Sequence, residues 1–218
     1  MMKEMIWVRY NLIVPCGGSG VRTGLPYNKL FYKDKNGIMM IEKTLSMFLK
    51  DGNCTRIILA INDDQNYFNF VKECDKVYFV QGGSTREESV KSGLDMIEID
   101  CDYILVHDGD RPFVSKEVVT NVLDALEEGY LSVVPGVASV DATIYKEDYT
   151  DSPIYFIQTP QGFKKDVLLK AFDCDVSNFR DEGSMVKKIC GITPHIVEGS
   201  YENIKITNKE DLRLLEGE

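Results

Sequence analysis

The 218-residue chain has little of what builds metal centres: two histidines, one tryptophan, and six cysteines with no C-x-x-C pair. That spacing argues against a structural zinc site. Long apolar runs are also missing. No stretch approaches the roughly 18 residues needed to cross a bilayer, and Lys3, Glu4 and Arg9 interrupt the first ten residues, so neither a span nor a targeting segment is expected. Cys16, Cys54, Cys74, Cys101, Cys174 and Cys190 are scattered along the chain, the usage of reduced thiols in a cytoplasmic protein. Positive charge is scarce too. Lys and Arg number 25 against 35 Asp and Glu, a formal net charge of -10, which excludes nucleic acid and anionic membranes as expected partners. A field of this sign repels anionic substrates, so phosphate chemistry would need a local cluster of Lys and Arg.

What is present is an ordinary globular composition, 44% hydrophobic and 28% charged, in a chain of single-domain length without repeats, low-complexity tracts or linkers. Short apolar runs alternate with amphipathic stretches, the pattern of an α/β fold with a mostly parallel sheet covered by helices on both faces. Strands are expected at residues 11–15, 56–61, 76–81, 103–107, 131–134 and 195–197. Helices are expected at 38–49, 64–71, 84–96 (opened by a capping box of Ser84 and Glu87), 115–128, 164–172, 181–188 and 208–215 (capped by Asn208 with Asp211). Residues 136–157 change to polar, β-branched segments around a bend and read as a protruding β-hairpin arm.

In open parallel sheets ligands bind beyond the carboxyl ends of the strands. The loops there carry Pro-Cys-Gly-Gly-Ser-Gly-Val-Arg (15–22), Gln-Gly-Gly-Ser-Thr-Arg (81–86) and His-Asp-Gly-Asp-Arg-Pro (107–112). The first is neither a dinucleotide fingerprint, since Gly24 comes one residue late, nor a Walker A loop, which would close on Gly-Lys-Ser/Thr. It is a glycine-rich turn whose N–H groups can approach phosphate, followed by Arg22 and Lys29, or equally a tight strand-to-helix turn with two solvated cations. Asp108, after a wholly apolar strand and beside a glycine, can reach a metal ion; Asp108 and Asp110 can also simply cap the turn before Pro112. Gly82 and Gly83 with Arg86 and Ser89 can bind a base or ribose, or form a plain turn.

Taken in order with Gln-Thr-Pro-Gln-Gly-Phe (158–163), Asp-Glu (181–182) and Asn-Ile-Lys-Ile-Thr (203–207), these motifs resemble the 2-C-methyl-D-erythritol 4-phosphate cytidylyltransferases over residues 11–215. Much of the set is shared with the related ribitol-5-phosphate cytidylyltransferases. The resemblance implies a single Rossmann-like nucleotide-diphospho-sugar transferase domain over residues 1–218, with 136–157 as a dimerisation arm. It implies that Pro15, Cys16, Gly17, Gly82, Gly83, Arg86 and Ser89 contact cytosine and ribose, that Gly17, Gly18, Ser19 and Gly20 hold the CTP triphosphate, and that Arg22, Lys29 and Lys205 are catalytic. Asp108, with Glu202 as a further acid, would hold Mg²⁺; Arg111, Thr159 and Lys205 would face the acceptor.

Three positions depart from the family pattern. Asn28 rather than proline precedes Lys29, Ala142 follows Asp141 where the family has threonine, and Asp151 stands eight residues before Thr159 in place of an arginine. No arginine lies between Arg111 and Arg180, so Lys146 is the cation at hand in the arm. The implied activity is CMP transfer from CTP to methylerythritol 4-phosphate with release of pyrophosphate, the partners being CTP, a polyol phosphate and a second copy of the chain. The alternatives are a ribitol-5-phosphate acceptor, favoured by Gly17-Gly18, and nucleotide binding without turnover, favoured by Ala142 and Asp151.

Overall fold

The computed structural model describes residues 8–18, 21–62, 65–97, 101–145, 148–150, 152–174 and 179–217. In chain order the strands are β1 (Tyr10–Pro15), β2 (Cys54–Ile61), β3 (Val77–Gln81), β4 (Tyr103–Val106), β5 (Ser132–Ala138), β6 (Thr143–Tyr145), β7 (Asp148–Thr150), β8 (Tyr155–Ile157), β9 (Gln161–Lys164) and β10 (His195–Glu198). The helices are α1 (Met40–Lys50), α2 (Arg86–Leu94), α3 (Lys116–Glu127), α4 (Lys165–Phe172), α5 (Glu182–Cys190) and α6 (Arg213–Glu216). The main sheet runs β3-β2-β1-β4-β9-β5-β10. Neighbours pair in parallel except where β9 lies antiparallel between β4 and β5, and β8 continues that line antiparallel to β5.

The sheet separates two cores because alternate residues of a strand face opposite sides. Leu12 and Val14 of β1 pack with α1, α3 and α6 residues such as Leu45, Phe48, Val122 and Leu215. Ile13 faces the other way, onto Val90 of α2, Leu168 of α4 and Met185 of α5. Covering both faces explains why β1 and β2 are near-continuous apolar runs, as buried parallel strands are. Helix α3 starts where expected: Ser115 Oγ accepts the Val118 N–H at 3.3 Å, and six of the helix's apolar side chains are buried.

Several elements differ from the sequence expectations. The cap of α2 is Thr85, whose hydroxyl accepts from Glu88 N–H, while the Glu88 carboxylate accepts from both Ser84 and Thr85 N–H groups. The helix therefore begins one residue later than a Ser84–Glu87 box would set it, with Arg86 at its first position. The segment expected as a helix at 64–71 is a 3-10 stretch, Gln65–Val71, kinked at Phe68. The closing helix is a 3-10 turn, Glu210–Leu212, running into α6; Asp211 still organises its start by accepting the Thr207 and Asn208 N–H groups. Strand β9 has no β-branched residue to announce it, and its glycine is needed because a Cβ at Gly162 would overlap Val122 Cγ1 of α3.

The 136–157 region divides. Residues 136–138 extend β5 and Tyr155–Ile157 returns to pair with it, so the hairpin proper is only β6 and β7. Among the described residues none of the helices is long and apolar enough to cross a membrane.

Candidate active site

Strand β1 pairs with β2 on one side and β4 on the other, so the crevice beyond their carboxyl ends is the sheet's switch point. A cavity of about 340 Å³ opens there. Pro15 ends β1 and Cys16, Gly17 and Gly18 follow it, Arg22 and Lys29 come from the two short turns beyond, Gly83 from the β3–α2 loop, Arg86 and Ser89 from the start of α2, Asp108 from the loop after β4, and Lys205 from the segment before α6. Ser19 and Gly20 lie outside the described residues, as do Lys146 and Asp151 of the arm. Gly82 stands just behind the wall: a Cβ there would meet the Asn62 side chain at 2.8 Å and Ser89 Oγ at 3.3 Å. Gly83 has no room for a side chain at all, because a Cβ would overlap that of Glu88.

Three of the cavity's cations, Arg86, Lys205 and Lys29, are held by two carboxylates on one turn. Asp108 Oδ1 accepts from Arg86 Nε at 3.1 Å, while its Oδ2 accepts from Lys205 Nζ at 2.9 Å and Arg111 Nε at 3.3 Å. Asp110 Oδ2 is 2.6 Å from Lys29 Nζ, which also donates to the Ile206 carbonyl. Burial pushes the Asp108 carboxyl up, but Arg86, Lys205 and Arg111 together more than reverse it and hold the group well below the usual carboxylate range. Arg86 bridges further, its Nη1 lying 2.5 Å from Oε1 of the fully buried Glu182 at the start of α5. Burial opposes the charge on Arg86, yet Glu182 and Asp108 outweigh it and drive its pKa upward.

Behind this turn lies a second layer of buried polar groups. Thr159 Oγ1 accepts the Asp108 N–H at 3.0 Å and meets His107 Nδ1 at 3.0 Å, while His107 Nε2 is 3.3 Å from the Arg111 carbonyl. A carbonyl only accepts, so Nε2 carries the proton, and the threonine hydroxyl donates to Nδ1. That assignment holds for a neutral imidazole, the form favoured by burial, which lowers the His107 pKa to about 4. Arg111 and Thr159, expected at the acceptor, are 8% and 4% exposed and do not line the cavity. Their polar atoms are spent on Asp108, His107 and, from Arg111 Nη1, the Asn203 carbonyl. Glu202, expected to join Asp108 at a metal, is exposed and lines a separate groove with Glu117 and Tyr201.

Other cavity residues were not singled out as ligands from sequence: Asn28, Ser84, Thr85, Asp110 and Thr207. Asn28 carried a signal, the substitution for proline. Its Nδ2 donates to the Cys16 carbonyl and its Oδ1 accepts the Leu30 N–H, so it ties the glycine-rich loop to the turn that bears Lys29. For a divalent cation the cavity offers the carboxylates Asp108 and Asp110, and no group of three or more His, Cys, Asp or Glu occurs among the described residues. Few acids and only oxygen donors suit a hard ion that takes its remaining ligands from phosphate and water.

Comparison with known proteins identifies the family. The model of the 2-C-methyl-D-erythritol 4-phosphate cytidylyltransferase family matches residues 10–217. An enzyme of that name from Bacillus mycoides is 38% identical over 222 residues, with 95% of this chain and 96% of the relative covered. The crystal structure of the Francisella tularensis 2-C-methyl-D-erythritol 4-phosphate cytidylyltransferase superposes with a TM-score of 0.80 at 29% identity, covering 94% of this chain and 97% of that one. That of the 4-diphosphocytidyl-2C-methyl-D-erythritol synthase of Anaerococcus prevotii gives 0.81 at 27% identity, with 97% and 96% covered. The chain belongs to the 2-C-methyl-D-erythritol 4-phosphate cytidylyltransferase family.

Proposed function

We propose that this protein transfers CMP from CTP to 2-C-methyl-D-erythritol 4-phosphate, forming the CDP-alcohol and pyrophosphate. The observation that carries the reading is the switch-point cavity, where Arg22, Lys29, Arg86 and Lys205 converge on a glycine-rich turn in a chain whose net charge is -10. An ionised oxygen of the acceptor phosphate attacks the α-phosphorus of CTP; the new O–P bond forms as the bond to the β-phosphate oxygen breaks, and pyrophosphate leaves with the electron pair. No proton has to be removed, so the protein's work is positioning and electrostatic stabilisation.

The backbone of Gly17 and Gly18 cradles the phosphates. The base and ribose lie against Pro15, Cys16, Gly83 and Ser89; Ser89 Oγ accepts the Gly83 N–H at 3.1 Å and so fixes that turn. Lys29, Arg22 and Lys205 face the charge that builds on the five-coordinate phosphorus and the leaving group. Asp108 and Asp110 would hold Mg²⁺, which when bound neutralises the phosphates as a Lewis acid. Arg111 and Thr159 act from behind by fixing Asp108. The reading includes a homodimer, because Val140, Ile144, Tyr149 and Phe156 leave apolar surface exposed around the arm.

Removing one well-placed cation from such a site typically costs on the order of 10²–10³ in turnover. Lys29→Ala and Arg22→Ala are expected in that range in a pyrophosphate-release assay, with unchanged circular dichroism. Near-normal turnover in both variants would reject the assignment.

A further inference from the structure

Asp110 stands between the two lysines that a triphosphate has to reach. Its Oδ2 is 2.6 Å from Lys29 Nζ and its Oδ1 3.9 Å from Lys205 Nζ. The carboxylate is not free to swing aside with its backbone, because the Asp110 carbonyl accepts the Ile206 N–H at 2.9 Å and Lys29 is itself tied to the Ile206 carbonyl. Both acids and both lysines line the cavity, so the protein's own carboxylates occupy the cations that substrate phosphates would need.

From this juxtaposition, and resting on the nucleotide reading above, we propose that Asp110 makes CTP binding conditional on a divalent cation. A bare triphosphate approaching Lys29 must break a short charge-assisted bond and face the carboxylate left behind, a repulsion little screened inside a cavity. A triphosphate carrying a divalent cation brings a positive charge, so Asp110 exchanges one cationic partner for another and Lys29 is released to the phosphates. Asp108 cannot impose this condition alone: Arg86 and Arg111 remain beside it when Lys205 turns to substrate. Asp110 is thus a specificity-determining residue that rejects metal-free nucleotide.

The test is calorimetric titration of CTP without acceptor, once in Mg²⁺ and once in EDTA, on the full-length wild type, Asp110→Asn, Asp110→Ala and Asp110→Glu. Wild type is expected to bind CTP more tightly in Mg²⁺. Both neutral variants are expected to bind metal-free CTP about tenfold more tightly than wild type, with no gain in Mg²⁺, so the ratio of the two affinities collapses. Asp110→Glu is expected to restore that ratio. Asn keeps the side-chain shape and Ala removes it, so a folding defect in one leaves the other to decide. A residue that merely braced the loop would weaken both affinities alike. An unchanged ratio in the folded neutral variants, or weaker metal-free binding, overturns the proposal. Wild type that binds CTP in Mg²⁺ confines that failure to Asp110, whereas wild type that binds CTP in neither condition overturns the nucleotide reading as well.

Discussion

A single guanidinium, that of Arg86, joins Asp108 in the cavity to the fully buried Glu182 at the start of α5. Glu182 Oε2 has no hydrogen-bond partner among the described residues, so its charge rests on Arg86. Breaking a buried pair leaves an uncompensated charge, so Arg86→Ala, which strands Glu182, is expected to cost about 3 kcal/mol in urea denaturation and to loosen Asp108. His107 supplies a second prediction. Burial lowers its pKa from the ordinary 6.5 to about 4; neighbouring Asp108 opposes this, while Arg111 and Lys205 assist it. The unfolded chain therefore takes up a proton at higher pH than the folded one. Stability from the neutral imidazole is complete above pH 6.5 and is lost as pH falls towards 4. The melting temperature of wild type relative to His107→Gln should be constant above pH 6.5 and fall as the pH drops from 6.5 towards 4; parallel curves would contradict it. The charged residues of this site were legible as a set, because Arg22, Lys29, Asp108 and Lys205 stand at motif positions. The buried polar layer was not, since Thr159 meets His107, and Glu182 meets Arg86, only through tertiary packing.

At the level of elements, the site depends on where α2 begins. Thr85 rather than Ser84 caps it, which sets Arg86 in the first turn beside the Asp108 loop. Thr85→Ala is expected to cost about 1 kcal/mol and to weaken CTP binding, whereas Ser84→Ala should be close to neutral for stability. Local pattern pointed to Ser84 as the cap, whereas in the fold it is the Thr85 hydroxyl that accepts the Glu88 N–H, with Val90 and Leu94 packed into the core. Strand β9 shows the same limit more strongly. Gln161–Lys164 has the composition of a loop, yet it is inserted antiparallel between β4 and β5, where α3 presses on Gly162. Its register holds Gln161, whose Oε1 accepts the Gly183 N–H at the start of α5, so the strand also places Glu182. Gly162→Val is expected to destabilise by about 1–3 kcal/mol through overpacking, measured by equilibrium unfolding. The inner parallel strands β1, β2 and β4, in contrast, were readable from near-continuous apolar runs.

For the molecule as a whole, a charge of -10 coexists with a cavity lined by four cationic and two anionic side chains. Net charge bears on solubility and on nucleic acid, while a concave site keeps its own local field. Distant parts also meet there: Arg22 and Lys205 line one cavity although most of the chain lies between them. The arm is the molecule's other exposed commitment. A double substitution, Ile144→Glu with Tyr149→Glu, should yield a monomer by light scattering at micromolar concentration, where wild type is expected to run as the proposed dimer.

Pyrophosphate release from CTP and Mg²⁺, measured with methylerythritol 4-phosphate, ribitol 5-phosphate and no acceptor, tests the central claim most directly. The expected result is rapid release with methylerythritol 4-phosphate and release near the acceptor-free background with ribitol 5-phosphate. Faster release with ribitol 5-phosphate, or CTP binding without release in any condition, would contradict it.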